Sequence, residues 1–216
     1  MKMDPERAAI IDALLPQIPF DGWTYNSLRQ ALISTGQHPD DAKLIFPNGP
    51  GEMIEAFCTL ADERMEAAAQ AADLAAYRVP ARVKSIIALR LEQNRGNKEA
   101  IRRALSLMAL PRHARLAART AAHTVDAIWH AAGDTSADFS WYTKRGILAA
   151  VYSATLLFWL TDSSFEDEAT LAFLDRRLGD VKNIGTARQR AETGLREIAA
   201  RLKRIIPRPR TEGRMG

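Results

Sequence analysis

Apolar residues along this chain recur at steps of three and four, and proline, glycine and capping residues cut the pattern into pieces of helical length. Asp4-Pro5 reads as an N-cap with proline at the first helical position, and Ile10, Ile11, Leu14 and Leu15 carry helix one to Pro16. Phe20-Asp21-Gly22-Trp23-Thr24 is a turn ending in a threonine cap. Leu28, Ala31 and Leu32 form the apolar face of helix two before Gly36, and a short third helix runs from Pro39 to Phe46. From Gly51, Met53, Ile54, Phe57, Leu60, Ala61 and Met65 mark a long fourth helix that turns alanine-rich towards Tyr77. Pro80 restarts the chain, with Val83, Ile86, Ile87 and Leu91 in helix five and Ile101, Ala104, Leu105 and Met108 in helix six. Leu116, Thr120, Thr124, Ala127 and Ile128 lie in helix seven, which Gly133 ends. Helix eight spans about Phe139 to Leu160, and helix nine Phe165 to Val181 with Leu171, Leu174, Leu178 and Val181 facing inward. Strand-like alternation is nearly absent, so the expected fold is all-α, about nine helices with a further amphipathic helix at the C-terminus.

Charge changes this picture at one end. Residues from Thr186 onward hold nine bases and three acids, net +6, which leaves −2 on residues 1–185 of a chain whose total is +4. The high pI therefore belongs to the tail, where Leu195, Ile198, Leu202 and Ile205 repeat at helical spacing beside Lys203 and Arg204. Such a basic amphipathic helix lies on a membrane surface or docks on a partner. The expected organisation is a helix-turn-helix-like part at 1–50, a helical body at 51–185 forming one domain with it, the basic helix at 186–206 and a disordered tail at 207–216. Gly146 to Leu160 is the longest apolar run, but its 15 residues fall short of the roughly 20 a spanning helix needs, which makes it a core helix. Met1-Lys2-Met3-Asp4-Pro5-Glu6 shows no secretory or transit pattern, and Cys58, the lone cysteine, forms no internal disulfide. A cytoplasmic setting is expected. The bases Arg78, Arg82, Lys84, Arg90, Arg95, Lys98, Arg102 and Arg103 read as a solvated exterior.

The first three helices have the layout of a DNA-binding module, yet the third opens Pro39-Asp40-Asp41-Ala42-Lys43, placing two aspartates where phosphates would lie. The expectation is a structural helix-turn-helix without nucleic acid. His123 and His130 lie about 10.5 Å apart along one helix, too far for one metal ion. No Glu precedes a His by three, no glycine-spaced phosphate loop follows a strand, and no Ser or Cys has a recognisable base. A non-enzymatic protein without cofactor or metal is favoured. On helix eight, Leu148, Tyr152, Leu156 and Trp159 form one stripe beside Ala149, Ala150 and Ala154. That combination either lines a cavity for an apolar ligand or lets helices approach closely. Phe139, Trp141 and Tyr142 cannot all share one helix face.

The stretch Ala132-Gly133-Asp134-Thr135-Ser136-Ala137-Asp138-Phe139-Ser140-Trp141-Tyr142-Thr143-Lys144-Arg145 closely resembles the signature of the coenzyme Q (ubiquinone) biosynthesis family named for its ninth gene. Phe20-Asp21-Gly22-Trp23-Thr24, Leu44-Ile45-Phe46-Pro47 and Phe173-Leu174-Asp175-Arg176-Arg177 resemble that family as well, and the similarity covers roughly residues 6–206. The resemblance implies a tetracycline-repressor-like fold used to bind isoprenoid or quinone lipid, in support of a membrane-associated di-iron hydroxylase of the ubiquinone pathway. It places the hydroxylase-binding surface on Asp138, Trp141 and Tyr142, with Ile128 as an apolar neighbour, and the membrane helix on Ala187 to Ile206. The expected location is peripheral, on the inner membrane face, and a second copy of the chain is a further candidate partner. A ligand-sensing transcription regulator is the alternative, against which Asp40 and Asp41 count.

Overall fold

A computed structural model describes residues 2–133 and 140–181, with backbone alone at 140–142. The chain divides into two compact units, 1–175 and 176–216. The helices of the first unit are α1 (Pro5–Leu14), α2 (Ile18–Asp21), α3 (Tyr25–Ser34), α4 (Ala42–Ile45), α5 (Pro50–Ala71), α6 (Val79–Gln93), α7 (Lys98–Met108), α8 (Ala114–Ala131) and α9 (Ser140–Trp159). Residues 168–175 form α10, and the described part of the second unit, 176–181, is also helical. No strand occurs among the described residues, and no helix there is long and apolar enough to cross a membrane.

Local chemistry sets most boundaries. The Asp4 carboxylate accepts from the Arg7 amide at the start of α1, and the Thr24 hydroxyl oxygen accepts from the Ser27 amide at the start of α3. α1 and α3 pack together, and α3 holds α4. Helix α5 runs through the centre of the unit against α1, α6 and α8, and α8 in turn packs on α7 and α9. The Trp23 indole N–H donates to the Ala100 carbonyl at 3.0 Å and its ring meets Phe57, pinning the N-terminal helices to α7 and α5. Phe46 is buried beneath the Arg7 guanidinium, 4.4 Å from the ring centroid.

Four sequence expectations need correction. The third helix is a 3-10 turn at Pro39–Asp41 followed by one α turn, because Phe46 leaves helical geometry to enter the core. The long helix stops at Ala71, and Asp73 takes φ 43° before a 3-10 turn at Leu74–Ala76. Residues 70–73 are exposed small or polar residues with little apolar area to bury, while Arg82 holds the carbonyls of Ala75 and Tyr77 and so fixes the turn. Helix nine begins at 168, and Phe165 is 77 % exposed. There the Asp162 carboxylate accepts from the amides of Ser164 and Thr170 and from the Thr170 hydroxyl, so a local turn replaces the helix. Finally, the bases on α6 and α7 are not one solvated face. Arg90 is buried, Lys84 pairs with Asp175, and Lys98 and Arg102 bond the carbonyls of Asp162 and Leu160.

Candidate functional site

Where α5 to α9 converge, their small and large apolar residues leave a cavity of about 330 Å³. Its walls include Phe57, Ile101, Leu105, Met108, Leu156 and Trp159. Alanines at 104, 117 and 121 keep space open that larger residues would fill. Ala109, Ala121 and Ser153 line it and are exposed, so this side forms the mouth. Leu110 and Leu157, exposed apolar residues next in sequence to lining residues, extend the apolar rim.

One end of the cavity is polar. Arg90, 6 % exposed, donates from Nε to the Tyr152 hydroxyl at 2.8 Å and pairs through Nη1 with Asp62 Oδ1. The other Asp62 oxygen accepts from the Thr124 hydroxyl at 3.1 Å and faces His123 Nδ1 at 3.1 Å. Asp62 also borders a polar surface hollow that includes Glu63, Glu66, His130 and Arg145, so the ion pair divides that hollow from the apolar cavity. Burial lowers the Arg90 guanidinium, but Tyr152 and Asp62 outweigh it and hold it above its ordinary value. Burial also pushes the Tyr152 hydroxyl up, against Arg90, and the Cys58 thiol up to about 12. Both keep their protons at neutral pH. At the far end, Lys98 sits 4.7 Å from the Trp159 ring centroid and bonds Asp167. Burial raises the Asp167 carboxyl, while Lys98, the Trp159 indole and Arg95 together hold it below the usual carboxylate range.

Of the stripe on helix eight, Tyr152, Leu156 and Trp159 line the cavity; Leu148 is buried elsewhere in the core. Ile128 is 0 % exposed, on the buried face of α8, and presents no surface of its own. Trp141 and Tyr142 fall in the first turn of α9, while Asp138 lies outside the described residues. Lys144 lies 6.0 Å from the Trp129 ring centroid and Arg145 pairs with Asp126, so these two bases tie α9 to α8. Gly133 has φ +75° and ends α8, where Arg82 donates to the Ala132 carbonyl at 3.2 Å. Leu195, Ile198, Leu202, Ile205, Lys203 and Arg204 all lie outside the described residues, as does 207–216. The buried pair Asp62–Arg90 went unread in the sequence. Its signal was present, since Arg90 falls four residues after Ile86 and three after Ile87, on an apolar face. His123, which sequence spacing sets too far from His130 to share a metal ion, is exposed and touches that pair. Among the described residues no group of three His, Cys, Asp or Glu is placed to hold a metal ion.

A profile of the COQ9 family matches residues 114–185, the stretch that begins with α8 and includes α9. Over 193 residues the chain is 32 % identical to ubiquinone biosynthesis protein COQ9, mitochondrial, of Rattus norvegicus, covering 86 % of this chain and 62 % of that protein. The Homo sapiens protein of the same name is likewise 32 % identical, with 86 % and 60 % covered. The chain thus spans about three fifths of the length of these animal relatives. The corresponding Schizosaccharomyces pombe protein is 30 % identical over 188 residues, with 87 % and 74 % covered. Among solved structures, a TetR transcriptional regulator from Nitrosomonas europaea superposes with a TM-score of 0.65 at 22 % identity, covering 82 % of this chain and 97 % of that one. The fold is therefore all-α and tetracycline-repressor-like.

Proposed function

The chain belongs to the COQ9 family, and on that premise we propose that it serves ubiquinone biosynthesis as an accessory lipid-binding protein and not as a catalyst. It takes an isoprenoid quinone precursor into the cavity between α5 and α9 and presents it to a membrane-associated di-iron hydroxylase. The observation that carries this reading is the apolar cavity walled by Tyr152, Leu156 and Trp159, opening past Ser153 between helices of one compact unit. A polyprenyl chain resists entering water, so a helper that moves its ring must offer apolar surface without a gap. A cavity of about 330 Å³ is at the small end of ligand sites, suited to a ring or a few isoprene units and not to a whole long chain. The remainder of the chain stays in the bilayer or lies across the mouth.

In the same reading, the basic helix with Leu195, Ile198, Leu202, Ile205, Lys203 and Arg204 holds the protein on the membrane surface. Trp141 and Tyr142 in the first turn of α9, together with Asp138 two residues before that helix in sequence, meet the hydroxylase, and the same helix carries cavity residues. Arg145–Asp126 and Lys144 over Trp129 set the angle of that helix on α8. The acidic 3-10 turn before α4, with Asp40 and Asp41 exposed, disfavours the regulator alternative.

Native mass spectrometry of the full chain tests the proposal. Isoprenoid lipid is expected to stay bound through gentle ionisation, and Leu156→Trp, which fills the cavity from a half-buried position, is expected to release it. Empty wild-type protein under several gentle conditions overturns the carrier reading.

A further inference from the structure

The polar end of the cavity has a chemical preference that its apolar walls do not. Arg90 donates from Nε to the Tyr152 oxygen, so that oxygen is the acceptor and its own proton must point elsewhere. No acceptor for that proton occurs among the described residues, although Tyr152 is 8 % exposed and lines the cavity. A buried hydroxyl whose proton has no protein acceptor, at the edge of an apolar cavity, can donate to a ligand oxygen. The charge beside it is already matched. Asp62 faces Arg90 across a buried ion pair, and Thr124 and His123 occupy the other carboxylate oxygen. An anionic headgroup entering here would lose its hydration and meet an ion pair of zero net charge in return. Trp159 lies seven residues along α9 from Tyr152, so the apolar end of the cavity begins about 10 Å away.

Resting on the reading of this cavity as a lipid site, we propose that Arg90, Tyr152 and Asp62 form a headgroup subsite for an uncharged amphiphile. The Tyr152 hydroxyl donates to a carbonyl or ether oxygen of the ligand, the kind that a quinone or methoxylated ring carries. Asp62 neutralises Arg90 and thereby excludes fatty-acid-like carboxylates. Arg90 positions the hydroxyl and does not itself bind the ligand.

The test uses the full chain and three probes with one farnesyl-length chain: farnesyl methyl ether, farnesoic acid as its anion, and farnesene, which has no head. Binding is read by quenching of tryptophan fluorescence and by calorimetry. The ether is expected to bind about two- to tenfold tighter than farnesene, the range of one hydrogen bond, and farnesoate weaker than the ether. Asp62→Asn leaves Arg90 unneutralised and is expected to raise farnesoate affinity at least tenfold relative to farnesene on the same variant. Tyr152→Phe is expected to bring the ether down towards the level of farnesene measured on the same variant, with a circular dichroism spectrum like that of wild type as the sign of an intact fold. Equal binding of all three probes, tightest binding of farnesoate to wild type, or no gain of farnesoate binding in Asp62→Asn overturns the subsite and leaves the cavity reading standing. Failure of every probe, farnesene included, overturns the cavity reading and this proposal with it.

Discussion

Arg90 and Asp62 illustrate how far a single side chain's role depends on its partner. A buried pair of this kind adds little net stability, because desolvation consumes much of the Coulombic gain, yet losing one partner strands the other. Arg90→Met is therefore expected to cost about 3–5 kcal/mol in urea unfolding. The double change Asp62→Leu with Arg90→Met is expected to recover most of it, and a double mutant no better than the single would show that the pair is not the source. Asp162 poses the acid counterpart. Burial raises its carboxyl, and the Thr170 hydroxyl together with the Ser164 and Thr170 amides outweighs that and holds it well below the ordinary value of 3.8. A depressed folded pKa means that the folded state binds its proton less readily than the unfolded chain. The stabilisation is complete above the ordinary value, begins to be lost as pH falls through that value, and is gone only once pH has fallen through the depressed value of the folded state. Asp162→Asn is expected to cost about 1 kcal/mol or more at pH 6 and to flatten the fall in urea midpoint between pH 6 and pH 3. An equally steep fall in the variant would place the acid sensitivity elsewhere.

At the scale of elements, caps and glycines did most of the specifying. Gly22 ends α2 at φ 71°, ψ −172°, a region that essentially only glycine enters, and its carbonyl accepts from the Ser27 hydroxyl at 2.6 Å. Gly22→Ala is expected to cost about 1–3 kcal/mol, a fall in Tm of roughly 2–10 °C for a chain of this size. Gly96→Ala, with nothing within 4 Å of the added carbon, is the control and is expected to leave Tm within a degree or two, as surface substitutions do. The starts of α1 and α3 and the end of α8 were legible because Asp4, Thr24 and Gly133 act on backbone within a few residues of themselves. The end of α5, the brevity of α4 and the turn at Phe165 were not. Arg82, Phe46 and Asp162 decide them through contacts that helical periodicity does not encode.

For the whole molecule, charge and cavity belong to different parts of the chain, and so do their tests. Removing residues 186–216 is expected to abolish sedimentation with anionic liposomes at low salt, since it removes a net charge of +6 together with the apolar repeat of Leu195, Ile198, Leu202 and Ile205. Unchanged sedimentation would move the membrane contact to residues 1–185. Periodicity, capping and the scarcity of strand-like alternation were enough to determine an all-α chain, and the residues around Trp141 were enough to point to its family, because those signals are local. The stripe of Tyr152, Leu156 and Trp159 was equally visible, but whether its small neighbours meant a cavity or close packing was not. That depends on how five helices meet, and periodicity reports only which side of each helix is apolar. Tertiary structure alone decided that space remains between them, that Leu148 and Ile128 belong to the solid core, and that Arg90 and Asp62 meet across it. A cation and an anion 28 positions apart in sequence become partners only when two helices bring them out of water together.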